Sequence, residues 1–361
     1  MQKKWFVLAI FLFLFLSISA QVRKYSNEFL SIGIGARALG MANSTVATNS
    51  DVTSGYWNPA GLTLVEEDLQ LGVMHSEYFA GIAKFDYLSG AAKINNVSSF
   101  GISMLRFGVD NIPNTLELID NEGNIRYDRI KSFSVADYAF MFSYARRSLN
   151  IQGLRYGGNV KVIRRIGGEF AEAWGFGLDI AAQYDLNHWR FGAIARDVTT
   201  TFNAWSFHTE ELEEVFTATG NEIPENSLEI TMPKVIMGAA REFTVWKKIK
   251  GLVEIDFDIS TDGKRNVLIT GDPLSIDPHL GAEFNYNKLV FFRFGAGNFQ
   301  KIPGFDGKEE ISYQPNLGLG IKIGRLAVDY ALTDIGDQSI ALYSNVFSIR
   351  YGINKEKETV F

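Results

Sequence analysis

The sequence predicts an all-β protein: a 14-stranded antiparallel transmembrane β-barrel with an N-terminal segment folded into its lumen. Three observations carry that expectation. The chain opens on an export signal, apolar residues then alternate with small or polar ones in many segments, and the connections between segments sort into long and short sets.

The first element is residues 1–20. Lys3 and Lys4 precede an apolar run from Trp5 to Leu16, followed by Ser17-Ile18-Ser19-Ala20-Gln21. A short positive stretch, a short apolar core and a small residue at its end form the pattern of a cleavable signal peptide. The run is too short for a lasting membrane helix, which needs about 20 apolar residues. Cleavage after Ala20 is expected, although Ile18 fits the −3 position poorly. With no cysteine in the chain there is no lipidated terminus, disulfide or thiolate chemistry. The formal net charge is −6, and loss of Lys3 and Lys4 makes it more negative, which argues against nucleic acid or an anionic membrane surface as partner.

Residues 21–68 do not alternate. Glycines punctuate the first half, and Pro59 prevents continued strand pairing. A barrel of fourteen strands is too wide for its wall side chains to fill, so this segment is expected to fold back as a plug. Asn58 is expected to hydrogen-bond backbone groups that Pro59 leaves unpaired.

Residues 69–353 form the wall. The clearest strand is 173–185: Trp174, Phe176, Leu178, Ile180, Ala182 and Tyr184 share one face, while Gly175, Gly177, Asp179, Ala181 and Gln183 share the other. Similar alternation predicts strands at 69–77, 82–92, 98–107, 133–145, 154–166, 173–185, 188–197, 233–244, 249–259, 277–286, 288–297, 312–323, 325–333 and 341–353. Residues 354–361 are left as a tail. The count is even, as a single-chain bacterial barrel requires.

The connections 108–132, 198–232, 260–276 and 298–311 are long, whereas 93–97, 146–153, 187, 245–248, 287 and 324 are short. Outer-membrane barrels have long extracellular loops and short periplasmic turns, so the N-terminus is expected in the periplasm. Within the long connections, Glu210–Phe216 reads as a short acidic helix, and Asn121-Glu122-Gly123, Pro303-Gly304 and Asp306-Gly307 as turns.

Charged residues on lumen-facing positions are Arg155, Lys161, Arg165, Arg293, Lys322 and Arg350 against Asp179, Glu254, Asp256, Asp258, Glu283 and Asp329. Their balance suggests ion pairs holding the plug; an ion-selective pore would favour one sign. The four histidines, His75, His188, His208 and His279, are scattered and do not suggest a metal site. No nucleophile–base pattern stands out, so neither an enzyme nor a cofactor is expected.

Gly35-Ala36-Arg37-Ala38-Leu39-Gly40-Met41, then Tyr56-Trp57-Asn58-Pro59-Ala60-Gly61-Leu62, and the closing Leu317-Gly318-Leu319-Gly320 with Val328-Asp329-Tyr330-Ala331 resemble the PorV/PorQ family of FadL-like outer-membrane barrels with an N-terminal hatch. The resemblance covers essentially the whole mature chain. It implies a hatch motif at Arg37, Gly40, Trp57, Asn58, Pro59 and Ala60, and two alternative functions. PorV-type members serve the type IX secretion system, binding translocon or cargo proteins; here loops 108–132 and 199–231 would carry such contacts. FadL-type members pass hydrophobic molecules through the hatch to a gap in the wall.

Overall fold

The computed structural model describes residues 26–354, except 121, 210–212, 214–216, 218–219, 221, 224, 305–307 and 334–342. The signal peptide, most of the acidic segment Glu210–Phe216, the Asp306-Gly307 turn and the tail beyond Asn354 therefore lie outside the described residues.

Sixteen strand segments form one antiparallel sheet: β1 (Leu69–Tyr78), β2 (Ala83–Lys93), β3 (Ser98–Asn114), β4 (Lys131–Arg147), β5 (Leu154–Gly167), β6 (Ala171–Leu186), β7 (Trp189–Arg196), β8 (Thr201–Phe207), β9 (Ser227–Thr231), β10 (Lys234–Trp246), β11 (Ile249–Ser260), β12 (Ser275–Tyr286), β13 (Val290–Pro303), β14 (Glu309–Ile323), β15 (Leu326–Thr333) and β16 (Ser344–Ile353). Pairing of β1 with β16 closes the sheet. The sixteen segments make fourteen staves. One half of β6 pairs with β7, from Ile180 opposite Ala195, and the other half with β8, from Phe176 opposite Phe202. β7 and β8 are thus one bent strand, and β9 and β10 are its equally bent neighbour.

Three predicted loops are corrected here. The segment 198–232 contains β8 and β9, β3 runs on to Asn114, and 298–311 shrinks to 304–308 because β13 and β14 extend into it. The cause is the same each time: a bulge. Register shifts lie between Val109 and Ile112 and between Gly297 and Gln300, and the β7–β8 bend holds Asp197 and Thr200 at φ 56°. An extra residue reverses which face the following side chains take, so a strict period-two reading stops at the bulge. The remaining long connections are 115–130, 208–226 and 261–274, all at one end of the barrel. The turns at the other end are short.

Burial follows parity. On β6, Phe176, Leu178 and Ile180 are exposed on the outer face, while Ala173, Asp179, Ala181 and Gln183 are buried inside. Among the described residues no helix is long and apolar enough to cross a membrane; the wall is made of strands.

Between β12 and β13 the ladder is incomplete, running from Tyr286–Val290 only to Leu280–Ala296. Beyond that point the connection 261–274 covers the free edge. Ile269 forms an isolated bridge with Ile276, and Asn266 accepts from the Lys301 backbone N–H at 3.1 Å.

Candidate functional site: the luminal segment and its ion circuit

Residues 26–65 fill the lumen as short helical turns, Glu28–Leu30, Ala36–Leu39, Ser54–Trp57 and Pro59–Leu64. A turn-rich chain inside a barrel must find partners for its backbone groups, and the inward side chains of the wall supply them. Arg196 donates to Leu30 O at 3.2 Å and Tyr56 O at 3.1 Å, Gln183 to Val46 O and Asn49 O, and Asn159 to Gly55 O at 2.8 Å. The inward glycines of the wall make room for this backbone. A Cβ on Gly192 would stand 2.3 Å from Val46 O, and one on Gly295 2.3 Å from Ala42 N. Gly40 meets the wall in the same way at Gly318.

The carboxylates at the middle of β11 act as anchors. Asp256 accepts the N–H groups of Thr45 and Val46 at 2.8 and 3.0 Å, and Glu254 accepts the Ala47 N–H at 2.7 Å and the Thr48 hydroxyl. Asp258 on the same strand pairs with Lys234.

Six charges of alternating sign form a circuit that starts and ends on the luminal segment. Arg37 donates to Glu283 (3.0 Å), Arg293 bridges Glu283 and Asp329 (2.7 Å each), and Arg350 joins Asp329 (2.9 Å) to Asp51. Arg37 and Asp51 belong to the segment; Glu283, Arg293, Asp329 and Arg350 belong to β12, β13, β15 and β16. Arg293 and Arg350 each bridge two carboxylates and Arg37 closes the row on Glu283, so every charge has an opposite neighbour, the condition under which a buried pair repays its desolvation.

Other lumen charges form separate groups. Lys161 reaches Asp179 (2.8 Å) and Asp197 (2.5 Å), and Asp179 also accepts the Asp197 N–H, so this trio stitches the β7–β8 bend shut from inside. Arg165 bridges Asp137 (2.8 Å) and Glu229 (3.3 Å), while Arg155 pairs with Asp185 (2.7 Å). Lys322 stands apart, half-exposed at the short-turn end and 3.9 Å from Glu66.

The Trp57-Asn58-Pro59-Ala60 run is fully buried. Trp57 Nε1 donates to Ile34 O at 2.9 Å. Asn58 Oδ1 accepts the Ala60 N–H at 3.2 Å, and its Nδ2 donates to Val46 O (2.9 Å) and to Ala182 O on β6 (3.0 Å). Asn58 thus ties the luminal segment to the wall as well as capping the turn at Pro59.

Sequence reasoning passed over Asp51, Asp197 and Arg196. Asp51 is outside the strands and Asp197 sits at the bend after β7, where no period reads; Arg196 continues the inward alternation of Gly192 and Ile194 and was within reach of one. The glycines of the inward face were visible as small residues, and their use as a bed for another backbone was the missed signal. The histidines are dispersed: His75 is on the outer wall beside Asp86, His208 is near Glu169 O, and His279 is beside Ala42 O.

Two chambers flank the segment. One of about 530 Å³, toward the long-loop end, is lined by Glu28, Tyr56, Arg196, Lys234, Arg265 and His279, among others. The other, of about 300 Å³ at the short-turn end, includes Arg37, Asp51, Lys250, Arg293 and Arg350. Both mix charges of opposite sign with apolar groups.

A closed antiparallel wall of fourteen staves with its N-terminal segment inside defines a β-barrel of the outer-membrane kind. Solved structures bear out that fold. The chain is similar to the CymD monoaromatic hydrocarbon channel (13% identity, TM-score 0.55, covering 90% of this chain and 99% of that one) and to the toluene transporter TbuX of Ralstonia pickettii (14%, 0.54, 89% and 99%). It is also similar to the toluene transporter TodX of Pseudomonas putida (12%, 0.53, 88% and 96%). At such identities the likeness is one of fold alone. No curated protein matches the sequence. The family model of the type IX secretion system protein PorV matches residues 19–204, more than half of the chain, and the chain belongs to that family. Family and fold are those of secretion and transport barrels.

Proposed function

We propose that this chain is a protein-binding component of type IX secretion in the outer membrane, with its short turns in the periplasm and its long loops outside. The observation that carries the reading, beside family membership, is the circuit from Arg37 to Asp51. A lumen whose occupant is ion-paired to two wall strands, and through them linked to two more, serves poorly as a path, which leaves the loops and outer surface to do the work. The long loops 115–130 and 208–226 are then the contact sites for translocon or cargo proteins.

A second reading, transport of a hydrophobic small molecule, draws support from the incomplete β12–β13 ladder beside the larger chamber. Against it stands the lining. Ligand pockets for apolar molecules are mostly apolar with few polar groups, and this chamber presents Arg196, Lys234, Arg265, Glu28 and Asp258.

The test is affinity recovery of the tagged chain from detergent-extracted outer membranes, with and without residues 208–226, alongside uptake of a hydrophobic substrate. A secretion barrel yields a translocon or cargo protein that is lost with the loop, and uptake does not change. Uptake that depends on the chain, with no protein recovered, would reverse the order of the two readings.

A further inference from the structure

We propose that the outer face of β1–β4 is a docking surface for a protein partner lying beside the barrel within the membrane. The inference rests on the secretion reading above and names the face the partner would use.

The belt of outward apolar side chains is uneven around the barrel. On β6 it runs through Tyr184, Ala182, Ile180, Leu178, Phe176 and Trp174, and on β14 through Ile323, Ile321, Leu319, Leu317, Pro315 and Tyr313. Such a run, at about 3.3 Å per residue and a tilt of roughly 40°, spans about 25 Å, the height of a full apolar band. On β1 the same face offers Leu69, Leu71 and Val73 before His75 and Glu77 take over. On β2, Ala92, Gly90 and Leu88 give way to Asp86 and Lys84; on β3, Phe100, Ile102 and Met104 give way to Arg106. There the belt is only about 10 Å tall.

The polar groups in the notch form one row. His75 faces Asp86, Asp86 faces Arg106, and Arg106 faces Tyr138 in the strand register. His75 Nδ1 is 2.7 Å from Asp86, and Arg106 lies 3.9 Å from Asp86 and donates to Tyr138 (3.3 Å) and Asp110 (2.7 Å). Lys84 is 3.7 Å from Asp110. These side chains point away from the lumen, because the alternate residues Met74, Ser76, Phe85, Tyr87 and Leu105 are the buried ones.

Hydrocarbon offers such groups no hydrogen bonds, and charged side chains on the lipid face are avoided within the band. The signs decide what covers them. Lys84 and Arg106 stand against Glu77, Asp86 and Asp110, so the row lacks the cation excess that a phosphate-bearing lipid would call for. Mixed signs fit a protein surface with complementary charges. Beside the row, the tip of the β1–β2 hairpin exposes Phe79 and Ile82, the apolar anchors such a contact needs.

The test places a photoreactive residue at Glu77 or Leu88 in the notch, and at Leu178 or Leu319 on the full belt, in the whole chain in native outer membranes. Expected are adducts from 77 and 88 to the same protein that affinity recovery yields, and lipid adducts alone from 178 and 319. Filling the notch with His75→Leu, Asp86→Leu and Arg106→Leu together should cut the protein adduct about tenfold or more, with heat-modifiable migration unchanged. If that variant does not fold, Asp86→Asn is read in the same way. Lipid adducts at every position while a partner is still recovered would overturn the docking face and leave the secretion reading standing. A dimer-sized adduct of this chain alone would overturn the partner. Absence of any partner in both assays would remove both proposals.

Discussion

Replacing Arg293 by methionine probes the ion circuit at its centre. Arg293 is 2% exposed and donates to Glu283 and Asp329 at 2.7 Å each. Methionine keeps much of the volume, so the change removes charge rather than packing. Glu283 retains Arg37 and Asp329 retains Arg350, while the six-charge circuit passes from neutral to one net negative charge. Stranding a buried charge by deleting its partner costs about 3–5 kcal/mol. The two surviving arginines place Arg293→Met near the lower end, at about 3 kcal/mol. Because Arg37 and Asp51 lie on the luminal segment, part of that loss should appear as loosening of the segment. The assays are urea unfolding in lipid vesicles and ion conductance in planar bilayers, where brief openings should become more frequent. Adding Arg37→Met leaves Glu283 with neither cation, so the double substitution should cost more than the two single losses added. A loss below about 0.5 kcal/mol for Arg293→Met, with an additive double substitution, would refute the idea that the circuit holds the segment.

Three further perturbations test other parts of the argument. Phe176→Arg puts a charge on the lipid face of β6 near mid-membrane and should cost about 2–4 kcal/mol on folding into vesicles, whereas Phe176→Leu should cost far less; equal losses would mean the faces are misassigned. Asn58→Ala removes an amide that bonds Val46 O, Ala182 O and the Ala60 N–H, and leaving those groups unpaired should cost about 1–3 kcal/mol in the same unfolding assay; no loss would mean that Asn58 does not tie segment to wall. In the connection 115–130, hydrogen bonds to Asp120 from the Asn124 and Glu122 backbone N–H groups hold its carboxyl below the ordinary range. A lowered folded value means that its contribution to loop order is present above the ordinary Asp pKa and is lost as pH falls through the lowered one. The amide resonances of Glu122 and Asn124 should therefore shift together with a midpoint below that of a free aspartate, and a midpoint at or above it would count against the turn.

The wall was legible because burial on one face and lipid on the other impose a strict period of two. β6 shows it best: Phe176, Leu178 and Ile180 could be assigned to the outside from sequence alone, and they are exposed there. The period failed at bulges. Asn111 and Asn298, at φ 60° and 50°, each restart the alternation on the opposite face, so the ends of β3 and β13 read as loop. Four of the circuit's six charges were legible as lumen charges. Glu283, Arg293, Asp329 and Arg350 occupy inward strand positions, which a periodic reading reaches, while Asp51 lies in irregular chain that has no period to read. Which cation meets which anion depends on sheet register and on barrel closure, and both are long-range properties.

Two kinds of contact hold the luminal segment against the wall. At Gly192 on β7 and Gly295 on β13 the contact is backbone against inward glycine, where any larger residue would push the segment away. Over β11, β12, β15 and β16 it is charge and hydrogen bonding, at Glu254, Asp256, Glu283, Asp329 and Arg350. Moving the segment would strand its charges and open a gap against the glycines, so small displacements gain nothing. A gate that opens for each passing molecule needs two arrangements of comparable free energy, whereas this arrangement strongly favours one. The binding of other proteins is then left to the long loops and to the notched belt proposed at β1–β4.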